Sequence, residues 1–404
     1  MSARTATYLD SNSGAPLRPS VVEALRVFFE KAESFSNPSS IHSQGRKARS
    51  LMAGARESVA ASLGITSRSS HAESIIFTSS GTEANQFAIR SVLEPRLLRG
   101  EKPHWVTTAV EHDSTFQMIR WFEERGGTVA TLPVDREGAF DASALAALWR
   151  PETVLVSAIW VNNETGVISD IQALSKAVSA RGGLLHLDAA QAWGKLPIDM
   201  KQTGAALVSF SGHKIGALPG TGVLWAKPGL PVSSVIYGKQ ERGRRGGTEN
   251  LTGIVSLGAA ARSIACEAWH SRVEASRNRL ETALRERISG VIVNGSGAPR
   301  VANTSNLLFR GISGEGLVLA LDLEGYSVSA GAACSSGTLE PSRVLMEMGR
   351  SKDEALSAIR ISLADELSWE ELDGFVSCLA RVVERLRRQG RTQATAQLSG
   401  RSVQ

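Results

Sequence analysis

The chain has 404 residues, 42% of them hydrophobic and 21% charged, which excludes general disorder and leaves room for more than one packed core. Its formal charge of +5 resides at one end: residues 381–404 hold six arginines and one glutamate, so the other 380 residues are neutral and no basic groove for nucleic acid is expected. No apolar run approaches the roughly 20 residues of a membrane span, and residues 1–14 lack an apolar signal core. Cys266, Cys334 and Cys378 lie too far apart for a disulfide framework or a CxxC zinc site. A cytoplasmic protein without a metal site or membrane contact is expected.

A first helix is expected over 18–32. Strands follow at 74–78, 105–110, 128–134, 154–160, 184–188, 206–210 and 222–226, rich in Val, Ile and Leu with little alternation, as in strands covered on both faces. Helical patterns at 81–93, 116–125 and 171–181 lie between them, so an α/β layered architecture is predicted. Beyond about residue 260 the pattern changes. A long helical stretch, 257–287, leads into short strands (291–294, 305–309, 327–329) and helices over 315–323 and 369–388, which reads as a smaller α+β domain. The expected division is a large domain over 15–260, a small domain from 1–14 with 261–390, and a polar, basic, disordered tail over 391–404.

Several segments carry chemistry. Thr78-Ser79-Ser80-Gly81-Thr82 is a strand running into a hydroxyl-rich turn at a helix start, which suits a phosphate; a plain helix cap reads equally well. Asp188 ends a strand predicted to be buried, where open α/β sheets bind ligands, and it could equally cap a helix. Lys214, just past another strand in Ser211-Gly212-His213-Lys214, is a candidate carbonyl-reactive amine or a surface lysine in a turn. Cys334 sits in a run of small residues, Ser329 to Gly337, that has no bulky side chain to bury it. That setting favours a reactive thiol, whereas Cys266 and Cys378 fall inside helical patterns and read as small buried hydrophobes. The Gly- and Arg-rich stretch 240–250 could hold an anion or be a solvated loop. No P-loop and no GxGxxG after a strand occurs.

In order, these segments are a Ser/Gly/Thr turn, Glu111-His112, Asn162-Asn163-Glu164-Thr165-Gly166, His186-Leu187-Asp188-Ala189-Ala190-Gln191, Ser211-Gly212-His213-Lys214, the Arg-rich Gly loop, the cysteine loop and Ile359-Arg360-Ile361-Ser362. From about Tyr8 to Arg388 this ordered set resembles the cysteine desulfurases, the NifS/IscS-type branch of the class V aminotransferase-like enzymes. The resemblance implies the type I fold of pyridoxal-phosphate (PLP) enzymes, with a mainly parallel seven-stranded sheet. It also implies the conversion of L-cysteine to L-alanine, with a persulfide on Cys334 passed on for iron–sulfur cluster assembly or other thio-cofactors.

By the same resemblance, Lys214 is the Schiff-base lysine, Asp188 pairs with the pyridine nitrogen and Gln191 bonds the ring oxygen. His112 stacks on the ring and moves protons. Gly81, Thr82, Ser211 and His213 hold the phosphate, and Thr248 reaches the phosphate of the neighbouring subunit of a homodimer. Asn163 lies near ring and substrate, and Asn37 and Arg360 grip the substrate carboxylate. Cys334 is the nucleophile, and a sulfur-acceptor protein such as an iron–sulfur scaffold is the partner. The chain departs from the family's usual pattern in the start segment Tyr8-Leu9-Asp10-Ser11-Asn12-Ser13-Gly14, where a Thr or Ala is common near the end, after the lysine, where Pro219 is displaced, and at Ala364-Asp365, where Gly-Arg is usual. None of these departures removes a catalytic group. A selenocysteine lyase or another class V aminotransferase or β-lyase is the alternative activity; a non-enzymatic scaffold is disfavoured by the intact Lys214 and Cys334.

Overall fold

The computed structural model describes residues 6–31, 36–65, 74–330 and 340–400, with the backbone alone over 390–400. Its first strand, β1 (Thr7–Tyr8), pairs in parallel with a strand more than 300 residues away, so the chain start is tied to the C-terminal part. A helix over Pro19–Phe29 begins with proline at its first position, where the missing N–H costs nothing. A second helix, Ser43–Ser62, was not anticipated. It packs its alanines against the helix Leu251–Arg262 so closely that a Cβ on Gly258 would meet the Ala55 Cα at 2.7 Å.

The large sheet comprises β2 (Ile75–Thr78), β3 (His104–Thr108), β4 (Thr128–Leu132), β5 (Thr153–Ile159), β6 (Leu184–Asp188), β7 (Leu207–Ser211) and β8 (Gly222–Ala226). Their order is β2-β8-β7-β6-β5-β3-β4. Only β8 runs antiparallel to its neighbours, so β2 points the same way as the five parallel strands. Helices cover both faces, and the residues of β2, β3, β7 and β8 are all buried, which is why these strands show little apolar/polar alternation. The seven-stranded, mainly parallel sheet is as expected.

The C-terminal part holds an antiparallel sheet of order β12-β13-β10-β9, built from β9 (Val291–Asn294), β10 (Thr304–Phe309), β12 (Ser329–Ala330) and β13 (Ala358–Ser362). The expected strand 327–329 divides in two: β11 (Tyr326–Ser327) pairs with β1, whereas β12 pairs with β13. The expected long helix from 257 also divides, into Leu251–Arg262 and Cys266–Arg287. At the break the Ser263 carbonyl, left free by the helix end, accepts from Arg18 Nη1 at 2.8 Å. The last helix runs from Trp369 to Gly400, through residues 391–400 that composition reads as an unstructured tail. The sequence from 391 to 399 lacks proline and glycine, so nothing in it stops the helix. Among the described residues no helix is long and apolar enough to cross a membrane.

Candidate active site

Because β2 and the parallel strands point the same way, the segments that follow β2, β3, β5, β6 and β7 converge beyond one edge of the sheet. They enclose a cavity of about 520 Å³ together with Asn12, Ser13 and Arg360 from the C-terminal side. Of the residues singled out above, Gly81, Thr82, His112, Asn163, Asp188, Gln191, Ser211, His213, Lys214 and Arg360 all line it. Asn37 does not. It is exposed and caps its own turn, accepting from the Ser39 N–H at 2.8 Å. Thr248 lines a separate hollow beside Ser79 and Arg245. Cys334 lies outside the described residues; Glu340, where the description resumes, lines the cavity.

At one end of the cavity, the helix Gly81–Leu98 presents its first turn. Ser80 caps it by accepting from the Glu83 N–H at 3.0 Å, while the N–H groups of the first turn have no acceptor within the helix. Space at Gly81 is tight: a Cβ would meet the Ser211 Cβ at 3.0 Å. Ser211 Oγ in turn bonds His213 Nδ1 at 3.0 Å. Burial and the adjacent Lys214 push the His213 pKa down to about 4, so this imidazole is neutral near pH 7.

Asp188 ends β6 and is buried. Its Oδ2 accepts from Asn85 Nδ2 at 2.7 Å and its Oδ1 from the Ala190 N–H at 2.9 Å, which fixes the carboxylate plane. His112 caps the helix Asp113–Glu123 through Nδ1, which accepts from the Ser114 N–H at 3.1 Å. In the neutral ring the proton is therefore on Nε2. Asn163 and Glu164 are held by a turn that Asn162 ties together. Its Oδ1 accepts from the N–H groups of Glu164 and Thr165, and Gly166 closes the turn at φ +78°.

Lys214 Nζ donates to the carbonyls of Asn12 and Ser13, at 2.6 and 2.9 Å. Arg360, on β13, donates through Nη2 to Asp10 at 2.6 Å and to Ser13 Oγ at 2.7 Å, and through Nη1 to the Asn163 carbonyl at 3.0 Å. Two carboxyls of the cavity are displaced toward neutrality: burial pushes both Glu111 and Glu164 up to about 7. Arg343 closes the cavity beside them. Its two terminal nitrogens donate to the Ala109 and Glu111 carbonyls, and the guanidinium stacks on Phe116 at 3.9 Å.

The sequence reading gave no role to Asp10, Asn12, Asn85, Glu164 or Lys195. Asn85 had a usable signal, one helical turn beyond Gly81 on the same helix. Asp10 and Asn12 had none, since their partners lie in distant parts of the chain.

The arrangement is an anion cradle, a buried carboxylate, a neutral imidazole and a primary amine around one cavity. Residues 7–375 match the family model described as aminotransferase class-V. The chain is 39% identical over 383 residues to a cysteine desulfurase of Nostoc sp., covering 94% of this chain and 93% of the relative. It is 38% identical over 384 residues to the cysteine desulfurase IscS of Dictyoglomus turgidum, covering 94% and 95%. Among solved structures it resembles a NifS-like protein with a TM-score of 0.86 at 30% identity, over 95% of this chain and all of that one. The chain therefore belongs to the class-V aminotransferase family, in its cysteine desulfurase branch.

Proposed function

We infer that the chain is a cysteine desulfurase that takes the sulfur of L-cysteine, releases L-alanine and delivers the sulfur toward iron–sulfur cluster assembly. The observation that carries this reading is the convergence of Lys214, Asp188, Gln191 and His112 on one cavity, in a chain related over nearly its full length to cysteine desulfurases.

The donor set fits pyridoxal phosphate. The first turn at Gly81 and Thr82, with Ser211 and His213, suits a phosphate. The buried Asp188 suits a protonated pyridine nitrogen, the Gln191 amide suits the ring oxygen, and Lys214 is the amine for the aldehyde carbon. Bound there, the cofactor supplies an electron sink for bond breaking at the amino acid.

The protein's own groups do the rest. Asp188, oriented by Asn85 and the Ala190 N–H, holds a proton on the ring nitrogen. Lys214, resting on two carbonyls, would hold the aldehyde carbon of the cofactor and serve as a local base beside the substrate. His112, with its proton on Nε2, faces the cavity and passes protons. Arg360 holds the substrate carboxylate through its fork of donors. The thiolate of Cys334 takes the sulfur as a persulfide and hands it to an acceptor protein. A homodimer suits the position of Thr248, which each copy would lend to the phosphate site of the other. A reducing cytoplasm suits a reaction that runs through a thiol.

The test is purified protein with pyridoxal phosphate, L-cysteine and a thiol reductant that releases persulfide sulfur as sulfide, beside Cys334→Ala. Equal alanine and sulfide from the wild type, and neither from a variant that keeps its visible absorbance, is the expected result. Alanine from Cys334→Ala would reassign the chain to a lyase or transaminase.

A further inference from the structure

Lys195 is buried, at 6% exposure, next to the active-site cavity. Its ammonium meets no carboxylate among the described residues. Its partners are two amide oxygens: Asn12 Oδ1 at 2.6 Å, and Gln191 Oε1 in a short contact. A buried cation is costly unless something needs it. Burial and the nearby charges of Lys214 and Arg360 hold this ammonium well below the usual lysine range. Charged or neutral, this nitrogen has at least two N–H donors, and it spends them on the two amide oxygens, which both turn toward it.

The consequence for Gln191 is a fixed orientation. With Oε1 held by Lys195, Nε2 faces the other way and donates to the Asn12 carbonyl at 3.0 Å. That carbonyl also accepts from Lys214 Nζ at 2.6 Å. Asn12 cannot turn to release the pair. Its Oδ1 also accepts from Asn303 Nδ2 at 3.1 Å, and its Nδ2 donates to Thr304 Oγ1 at 2.9 Å. An amide turned the other way would present an acceptor to an electron-rich ring oxygen. One pinned through its oxygen presents only a donor.

We propose that Lys195 is a positioning residue, which pins the Gln191 side chain through its oxygen so that its nitrogen stands as a fixed donor to the ring oxygen of the cofactor. This rests on the cofactor reading above.

The measurement is the pH midpoint of the visible absorbance band in protein loaded with pyridoxal phosphate, for wild type, Lys195→Met, Gln191→Ala and the double variant. A donor on the ring oxygen makes that oxygen a poorer proton acceptor, so losing the donor raises the midpoint. Lys195→Met is expected to raise it by about 0.5–1 pH unit, the effect of one ordinary hydrogen bond. Gln191→Ala is expected to do the same, and the double variant no more than Gln191→Ala alone. Glu111, His112, Asp188, His213, Lys214 and Arg360 surround the site and are unchanged in every arm, so their own titrations are common to all. An unshifted midpoint in folded Lys195→Met overturns the proposal. So does a further rise on adding Lys195→Met to Gln191→Ala, since the lysine charge would then act directly. If Lys195→Met shows no cooperative melt, Lys195→Gln takes its place, with a smaller rise expected and no rise overturning the proposal. Wild type without any visible band overturns the cofactor reading itself, and the proposal with it.

Discussion

Arg360 and Asp10 stand 350 residues apart in sequence and 2.6 Å apart in space, joining β13 to the segment that follows β1. The pair is nearly buried, with side-chain exposures of 4% for the arginine and 16% for the aspartate. Asp10 takes one edge of the guanidinium, and Ser13 and Ser329 crowd the same nitrogen. Nε is buried without a partner among the described residues, so the fork still has an unspent donor.

Replacing Arg360 by lysine keeps the charge and removes the fork. A point charge on a flexible stem cannot serve Asp10, the Asn163 carbonyl and a substrate carboxylate together. KM for L-cysteine is expected to rise about tenfold or more, with a smaller change in kcat. Steady-state kinetics check this, and an unchanged KM would move carboxylate recognition to another group. Asp10→Ala leaves a buried guanidinium without its counter-charge and is expected to cost on the order of 3 kcal/mol in urea unfolding.

Two glycines in helices give opposite expectations. A Cβ on Gly81 meets Ser211 at 3.0 Å, at the turn where a phosphate would rest, whereas a Cβ on Gly54 meets nothing within 4 Å. Gly81→Ala crowds the Ser211 side chain at this turn, and the variant's affinity for pyridoxal phosphate is expected to fall about tenfold. Gly54→Ala, on the exposed side of the helix Ser43–Ser62, is expected to add about 0.5–1 kcal/mol of stability and leave cofactor binding unchanged. Titration of visible absorbance, with melting curves, separates the two.

Asn85 offers a third test. It donates to both Asp188 Oδ2 and Ser114 Oγ, while its own Oδ1 is buried without a partner among the described residues. Asn85→Ala frees one oxygen of Asp188 and leaves a void beside it. Visible absorbance is expected to persist with kcat reduced by about an order of magnitude, the loss of one orienting bond to the group that holds the ring proton. Full activity would show that the Ala190 N–H suffices.

What sequence could reveal followed from burial and from order along the chain. β6 and β8 have the expected bounds, because strands covered on both faces are mainly apolar and lack strict alternation. The site segments were legible because each follows its strand directly. The helix Ser43–Ser62 was not, since its buried face is built of Gly45, Ala48, Ala55, Val59 and Ala60 and carries little apolar contrast. Residue 328 separates two strands that belong to different sheets, and the three-residue stretch Ser327-Val328-Ser329 cannot announce that division. The roles of Asp10, Asn12 and Lys195 depend on partners that only the closed fold supplies; Asn12 and Lys195, for example, lie 183 positions apart.

Glu164 sets a pH dependence of stability whose sign can be worked out. Burial raises its folded pKa from 4.5 to about 7, and Ser342 Oγ is its hydrogen-bond donor at Oε2. Between those values the folded state binds a proton that the unfolded chain has released. Glu164 therefore supports the fold fully below about pH 4.5, and that support is lost as pH rises through 7. Glu111 follows the same course, also reaching about 7. His186 opposes both at the acid end: burial lowers its pKa to about 3, so its support is present above 6.5 and is lost as pH falls toward 3. Glu164→Gln replaces the carboxyl by a neutral amide whose oxygen can still accept from Ser342. The variant is expected to match wild type near pH 5 and to exceed it at pH 8.5 by on the order of 2–3 kcal/mol, read from urea unfolding at both pH values. A variant weaker than wild type at pH 8.5 would mean that Glu164 is ionised in the folded protein, with Arg343 and Arg360 rather than a proton compensating its charge.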